Sequence, residues 1–138
     1  MSATPPKRSM TITAAFLLLL ALASQASIFG VTGEPGSEAV LQSAPARAQA
    51  RKNPYAGNED ARLAGSKLFQ QHCAECHGQN GQGRTDAPSL QTELVRTAPP
   101  GALLWFLKNG NLRRGMPSWS RLPEARLWQI VTHLQDAR

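Results

Sequence analysis

A chain of 138 residues has room for one domain of ordinary size and no second. Its formal net charge of +6 comes from scattered arginines and lysines rather than a clustered patch, which argues against a nucleic-acid binder. Two cysteines are too few for a disulfide scaffold or a cysteine-rich zinc site.

The chain opens with Lys7 and Arg8, followed by an apolar run from Ile12 to Ala23, and Ser24-Gln25-Ala26 then gives the small-x-small pattern of a signal-peptidase site. Residues 1–26 therefore read as a secretory signal, cleaved after Ala26. The alternative is an uncleaved anchor, since no charge falls between Arg8 and Glu34, but a membrane span needs ~20 apolar residues and Ser24, Gln25 and Ser27 interrupt this one early. In either case the body is exported. Removal of the leader takes two bases and no acid, so that body stays basic.

Residues 27–53 are rich in Ala, Gly, Ser, Pro and Gln without a sustained apolar period, and they read as a flexible linker. The compact domain is expected over 54–138. At that size a bare apolar core is marginal, and a buried cofactor would act as a staple.

Three helices are predicted and almost no strand, because runs of alternating β-branched residues are missing. The first spans about Glu59 to His72, with acids in its first turn, an apolar side from Leu63, Leu68 and Phe69, and Gly65 permitting a close helix contact. The second runs from about Gly101 to Lys108, after Pro99-Pro100 and before Asn109-Gly110. The third starts at Pro123-Glu124 and reaches about Gln135, with Leu127, Ile130, Val131 and Leu134 on one face. Residues 78–88 and 111–122 read as loops, the second holding Gly115-Met116-Pro117.

Cys73-Ala74-Glu75-Cys76-His77 is a C-x-x-C-H run, the pattern of covalent c-type haem attachment. On a helical turn, residues three apart share a side, so both thiols can reach the vinyl groups along one haem edge while His77 turns toward the iron. The competing readings fail on context. A zinc site wants further soft ligands, a thioredoxin-like pair wants a βαβ pattern, and a disulfide closing so short a loop would stabilise little.

From Gly65 to Leu134 the sequence resembles a class I bacterial cytochrome c. The landmarks, in order, are Gly65 to Phe69, Cys73 to His77, Gly78 to Gly83, Pro88 and Leu90, Gly115-Met116-Pro117, and Trp128 to Leu134. The resemblance implies a small all-α fold of three to five helices around one haem. It also implies that the first and last helices cross, with Gly65 and Phe69 against Trp128, Val131 and Leu134. It puts the Pro88 carbonyl on the distal nitrogen of His77 and Leu90 against the haem. His133 departs from the pattern, standing where similar sequences often carry Tyr or another aromatic, and reads as a packing or surface residue.

Met116 is the one methionine beyond the leader, and thioether sulfur is an established partner for His on haem iron. Pro117 disfavours helical geometry at Met116, and Gly115 frees the backbone before it, so the side chain can project from a loop toward iron. Trp119 is a candidate donor to a haem propionate, and Trp105 and Phe106 are candidates for pocket wall or ordinary core.

With His77 and Met116 on the iron no position is open for peroxide or dioxygen, and the expected function is single-electron transfer between exported or membrane redox partners, not catalysis. Arg113 and Arg114, beside Met116, could steer an acidic partner. One alternative is an electron-entry subunit of an exported quinoprotein-type dehydrogenase, suggested by the Asn53-Pro54-Tyr55 stretch that similar small cytochromes carry. The other is a ligand-binding haem sensor or peroxidase, which would need Met116 off the iron.

Overall fold

Apolar stripes with a cap at one end and a glycine or proline at the other fold as helices here, and the described residues contain no strand beyond the single bridges Arg84–Ala87 and Asn111–Met116. The structure, a computed structural model, describes Met1 and residues 35–136. The rest of the leader, read as signal or anchor, lies outside the described residues. The described residues form seven α-helices in order, α1 Pro35–Gln42, α2 Ala46–Gln49, α3 Glu59–His72, α4 Ala74–His77, α5 Glu93–Thr97, α6 Pro100–Asn109 and α7 Glu124–Asp136, with a 3₁₀ turn at Leu112–Arg114 before α7. Among the described residues no helix is long and apolar enough to cross a membrane.

Local chemistry sets the ends of α3. The Asn58 side chain accepts from the Ala61 N–H at 2.9 Å, satisfying a donor that the first turn leaves open, and Glu59 and Asp60 favour the positive end of the helix dipole. The buried stripe is Ala61, Gly65, Leu68 and Phe69, at helical spacing. Leu63, expected on the apolar side, falls off that stripe and is 47% exposed.

The stripe meets α7, which buries Leu127, Trp128, Ile130, Val131 and Thr132. The two helices cross backbone on backbone: a Cβ on Gly65 would lie 2.0 Å from the Gln129 carbonyl oxygen, so only glycine fits. Phe69, almost fully buried, packs its ring 5.4 Å from the His133 ring. This is the expected crossing of first and last long helices, and His133 is one of its packing residues. Burial, followed by the nearby charge of Arg62, pushes the His133 imidazole below its ordinary pKa.

α6 starts at Pro100 and closes at Gly110, where a φ of +68° and the 2.5 Å that a Cβ would stand from the Pro117 carbonyl oxygen both require glycine. Its residues Leu103, Leu104 and Leu107 join Leu127, Trp128 and Val131 in the core.

Residues 35–53 differ from the flexible linker expected of them. α1 and α2 lie on α6, Leu41 and Ala44 are buried, and a Cβ on Gly101 would come within 1.9 Å of the Ala48 carbonyl oxygen. The arm then runs onto α7. Arg51 pairs with Glu124 in the first turn of α7 and lies over the Trp128 ring at 5.3 Å, while Lys108 of α6 reaches the same carboxylate at 3.1 Å. The buried Asn53 amide donates to the Thr132 hydroxyl at 2.9 Å. The short helices α1, α2, α4 and α5 also take the count beyond the three to five expected. Helices of four to eight residues lack the length to show a period, and it is tertiary packing that holds them.

Candidate functional site

Cys73 caps the C-terminus of α3 and opens α4, so the C-x-x-C-H run is itself one helical turn, closed by the His77 N–H donating to the Cys73 carbonyl at 2.9 Å. Both thiols are free, Cys73 half-buried and Cys76 exposed. Burial, with the neighbouring Cys76, pushes the Cys73 thiol up to about 11. A thiol so held is neutral, unlike the depressed thiolate of a disulfide oxidoreductase. Among the described residues no three His, Cys, Asp or Glu side chains gather as a metal cluster.

The 78–90 loop orients His77. The Gly83 N–H donates to the His77 carbonyl at 2.8 Å, and the Leu90 N–H donates to the Gly81 carbonyl at 2.7 Å, folding the loop back on itself. Gly83 makes this approach possible: with φ at +87°, a Cβ there would stand 2.7 Å from the Ser89 nitrogen. The result is a Pro88 carbonyl 2.9 Å from Nδ1 of the buried His77. A carbonyl only accepts, so Nδ1 carries the proton and Nε2 keeps its lone pair, with no partner among the described residues. Leu90 is half-buried and shares a cleft of about 320 Å³ with Phe69, Gly81, His133 and Leu134.

Met116 closes a second loop. The Asn111 N–H donates to the Met116 carbonyl at 2.8 Å and the Met116 N–H to the Asn111 carbonyl at 3.0 Å, so the chain leaves and returns at one point. The side chain is half-buried and packs against the core. Trp119 is held by its backbone N–H donating to the Leu107 carbonyl at 2.9 Å, and its ring lies 5.2 Å from that of His72. That ring contact, which the sequence reading missed, ties the residue before Cys73 to the loop that carries Met116. Trp105 lines a separate cleft of about 460 Å³ with Arg51, Lys108 and Ser118, while Phe106 packs on the core.

The donor set fits haem c. Two unbonded thiols sit three residues apart on one helical turn, the next residue is an imidazole with its tautomer fixed and Nε2 free, and a single thioether side chain stands in the second loop.

Residues 60–134, just over half of the chain, match the family model described as cytochrome c oxidase, cbb3-type, subunit III. Among solved structures the chain is similar to cytochrome CL from the marine methylotrophic bacterium Methylophaga aminisulfidivorans, with a TM-score of 0.54 and 23% identity over 79% of this chain and 71% of that one. That likeness speaks to the fold. No curated protein matches the chain. The chain belongs to the cytochrome c family that this model describes: it is a class I c-type cytochrome that binds haem c covalently and carries electrons rather than catalysing a reaction.

Proposed function

We propose that the chain is a monohaem shuttle in which Cys73 and Cys76 would bond the haem and His77 and Met116 would ligate its iron. The carrying observation is the His77 ring: Nδ1 donates to the Pro88 carbonyl at 2.9 Å, which leaves Nε2 as a fixed lone pair beside two unbonded thiols. When bound, the haem supplies a one-electron iron couple. Cys76 is exposed, so a haem bonded there would be reachable from solvent for electron exchange. As an iron ligand, Met116 would leave no position for small oxidants, and its soft sulfur would raise the reduction potential. Leu90 would line the haem, and the Trp119 indole N–H would be the donor to a propionate.

The leader over residues 1–26 exports the chain to the periplasm, and an uncleaved leader would tether it to the membrane. The haem domain begins near residue 35, since the arm to Asn53 is bonded to α6 and α7. Its partners are a redox donor and a redox acceptor. The Asn53-Pro54-Tyr55 stretch, which suggested an electron-entry subunit of a dehydrogenase, is tied into the domain through the Asn53–Thr132 hydrogen bond, and that reading stands as the alternative to a diffusing shuttle.

Denaturation in acid acetone tests the attachment. The haem is expected to stay with the full chain, and to be extracted once Cys73→Ala and Cys76→Ala are combined. Extraction from the unaltered chain would contradict the proposal.

A further inference from the structure

The loop that closes at Asn111 and Met116 carries a second feature on its far end. Between the two backbone hydrogen bonds at its base lie the 3₁₀ turn Leu112–Arg114 and Gly115, which returns the chain with φ at +81° and open space around it. The tip exposes Leu112, at 77% the most exposed large apolar side chain in residues 35–136. Arg113 and Arg114 stand exposed beside it, and neither has a carboxylate partner among the described residues. The other exposed large apolar side chain there, Leu63, lies on α3 next to Arg62, whose charge is already paired with Glu59. An apolar side chain and two guanidinium groups without a carboxylate partner among the described residues, on a hydrogen-bonded turn, make a docking tip: exposed charge of one sign steers an approaching partner, and burial of the leucine holds it.

We infer that Leu112, Arg113 and Arg114 form a docking finger for a redox protein whose electron-transfer surface is an apolar depression rimmed by carboxylates. This rests on the electron-shuttle reading above and adds the partner's surface chemistry. The finger is fixed at its base to Met116, the residue proposed to hold the iron, so a partner docked there would sit against the loop that carries that ligand. The two parts of the finger act differently. The arginines raise the rate of encounter and are screened by salt, whereas the leucine slows dissociation and is insensitive to salt.

Stopped-flow electron transfer from the reduced holoprotein to a blue-copper protein with a carboxylate-ringed copper edge separates these effects. Arg113→Glu combined with Arg114→Glu is expected to lower the second-order rate constant about tenfold at low ionic strength, with the loss vanishing at high salt. Leu112→Ser is expected to lower it at every salt concentration. A charge-matched control, Arg47→Glu with Lys52→Glu, is expected to change it little. Equal losses in the control, or no effect of Leu112→Ser, would overturn the finger. So would tip variants that keep the blue-copper rate but lose binding to phosphatidylglycerol vesicles, since the tip would then be a membrane contact. An unaltered protein that cannot be reduced reversibly, or that shows no sulfur-to-iron band, would instead fail the electron-shuttle reading.

Discussion

The α3–α7 crossing and the arm of residues 35–53 are both packed against the same core, yet they are held in opposite ways. The crossing is local chemistry in agreement with tertiary packing: an Asn58 cap, acids in the first turn, a stripe at helical spacing and a glycine where backbones touch. The arm has little of this. Its helices are short, and it is fixed by separate long-range ties: Ala48 on Gly101, Arg51 on Glu124, and Asn53 on Thr132. The crossing thus forms one cooperative unit with the site, and the arm is a clasp that should open one tie at a time.

Gly65→Ala breaks the comparison at its strongest point. A methyl group 2.0 Å from a backbone oxygen forces the helices apart, and a loss of about 3 kcal/mol or more is expected in denaturant unfolding, with loss of haem colour in the same transition. Gly101→Ala meets an equally close oxygen, but on the arm, so it should release residues 35–53 to protease while the visible spectrum stays unchanged, at about 2 kcal/mol. Asn53→Ala removes two hydrogen bonds, the one its amide donates to Thr132 and the one its Oδ1 accepts from the Tyr55 N–H at 2.9 Å, while Thr132 still donates to the Trp128 carbonyl at 3.0 Å; a cost of about 2 kcal/mol is expected by the same unfolding measurement.

The smallest effect is electrostatic. Hydrogen bonds from Arg51 and then Lys108 hold the Glu124 carboxyl at about 2, well below its ordinary 4.5. A depressed carboxylate contributes stability above its unfolded pKa, and that contribution is lost as pH falls from about 4.5 toward 2. The pair is exposed to solvent, so the contribution is about 0.5 kcal/mol. Arm protection measured by hydrogen exchange should decline over that window, and Glu124→Gln should flatten the decline.

The same contrast explains what could be read in the residues. α3, α6 and α7 were legible because each carries a stripe together with a cap, a proline or a glycine. Met116 drew attention because it is the one methionine beyond the leader, and the Pro88–His77 contact was legible because the resemblance points to the Pro88 carbonyl. The arm was not legible: Ala, Gln, Pro and Ser at 35–53 become ordered only when Gly101 and Glu124, far along the chain, arrive to meet them. The His72–Trp119 ring contact was hidden for the same reason, since nothing near either residue announces the other.

The central claim is that His77 and Met116 together close the iron. The most direct test is the visible and near-infrared spectrum of the holoprotein, oxidised and reduced, beside that of Met116→Ala, with carbon monoxide added to the reduced forms. The account predicts a weak sulfur-to-iron band in the unaltered protein, its loss in Met116→Ala, and carbon monoxide binding to the variant alone. A band that survives Met116→Ala, or an unaltered protein that lacks it and binds carbon monoxide at neutral pH, would contradict it.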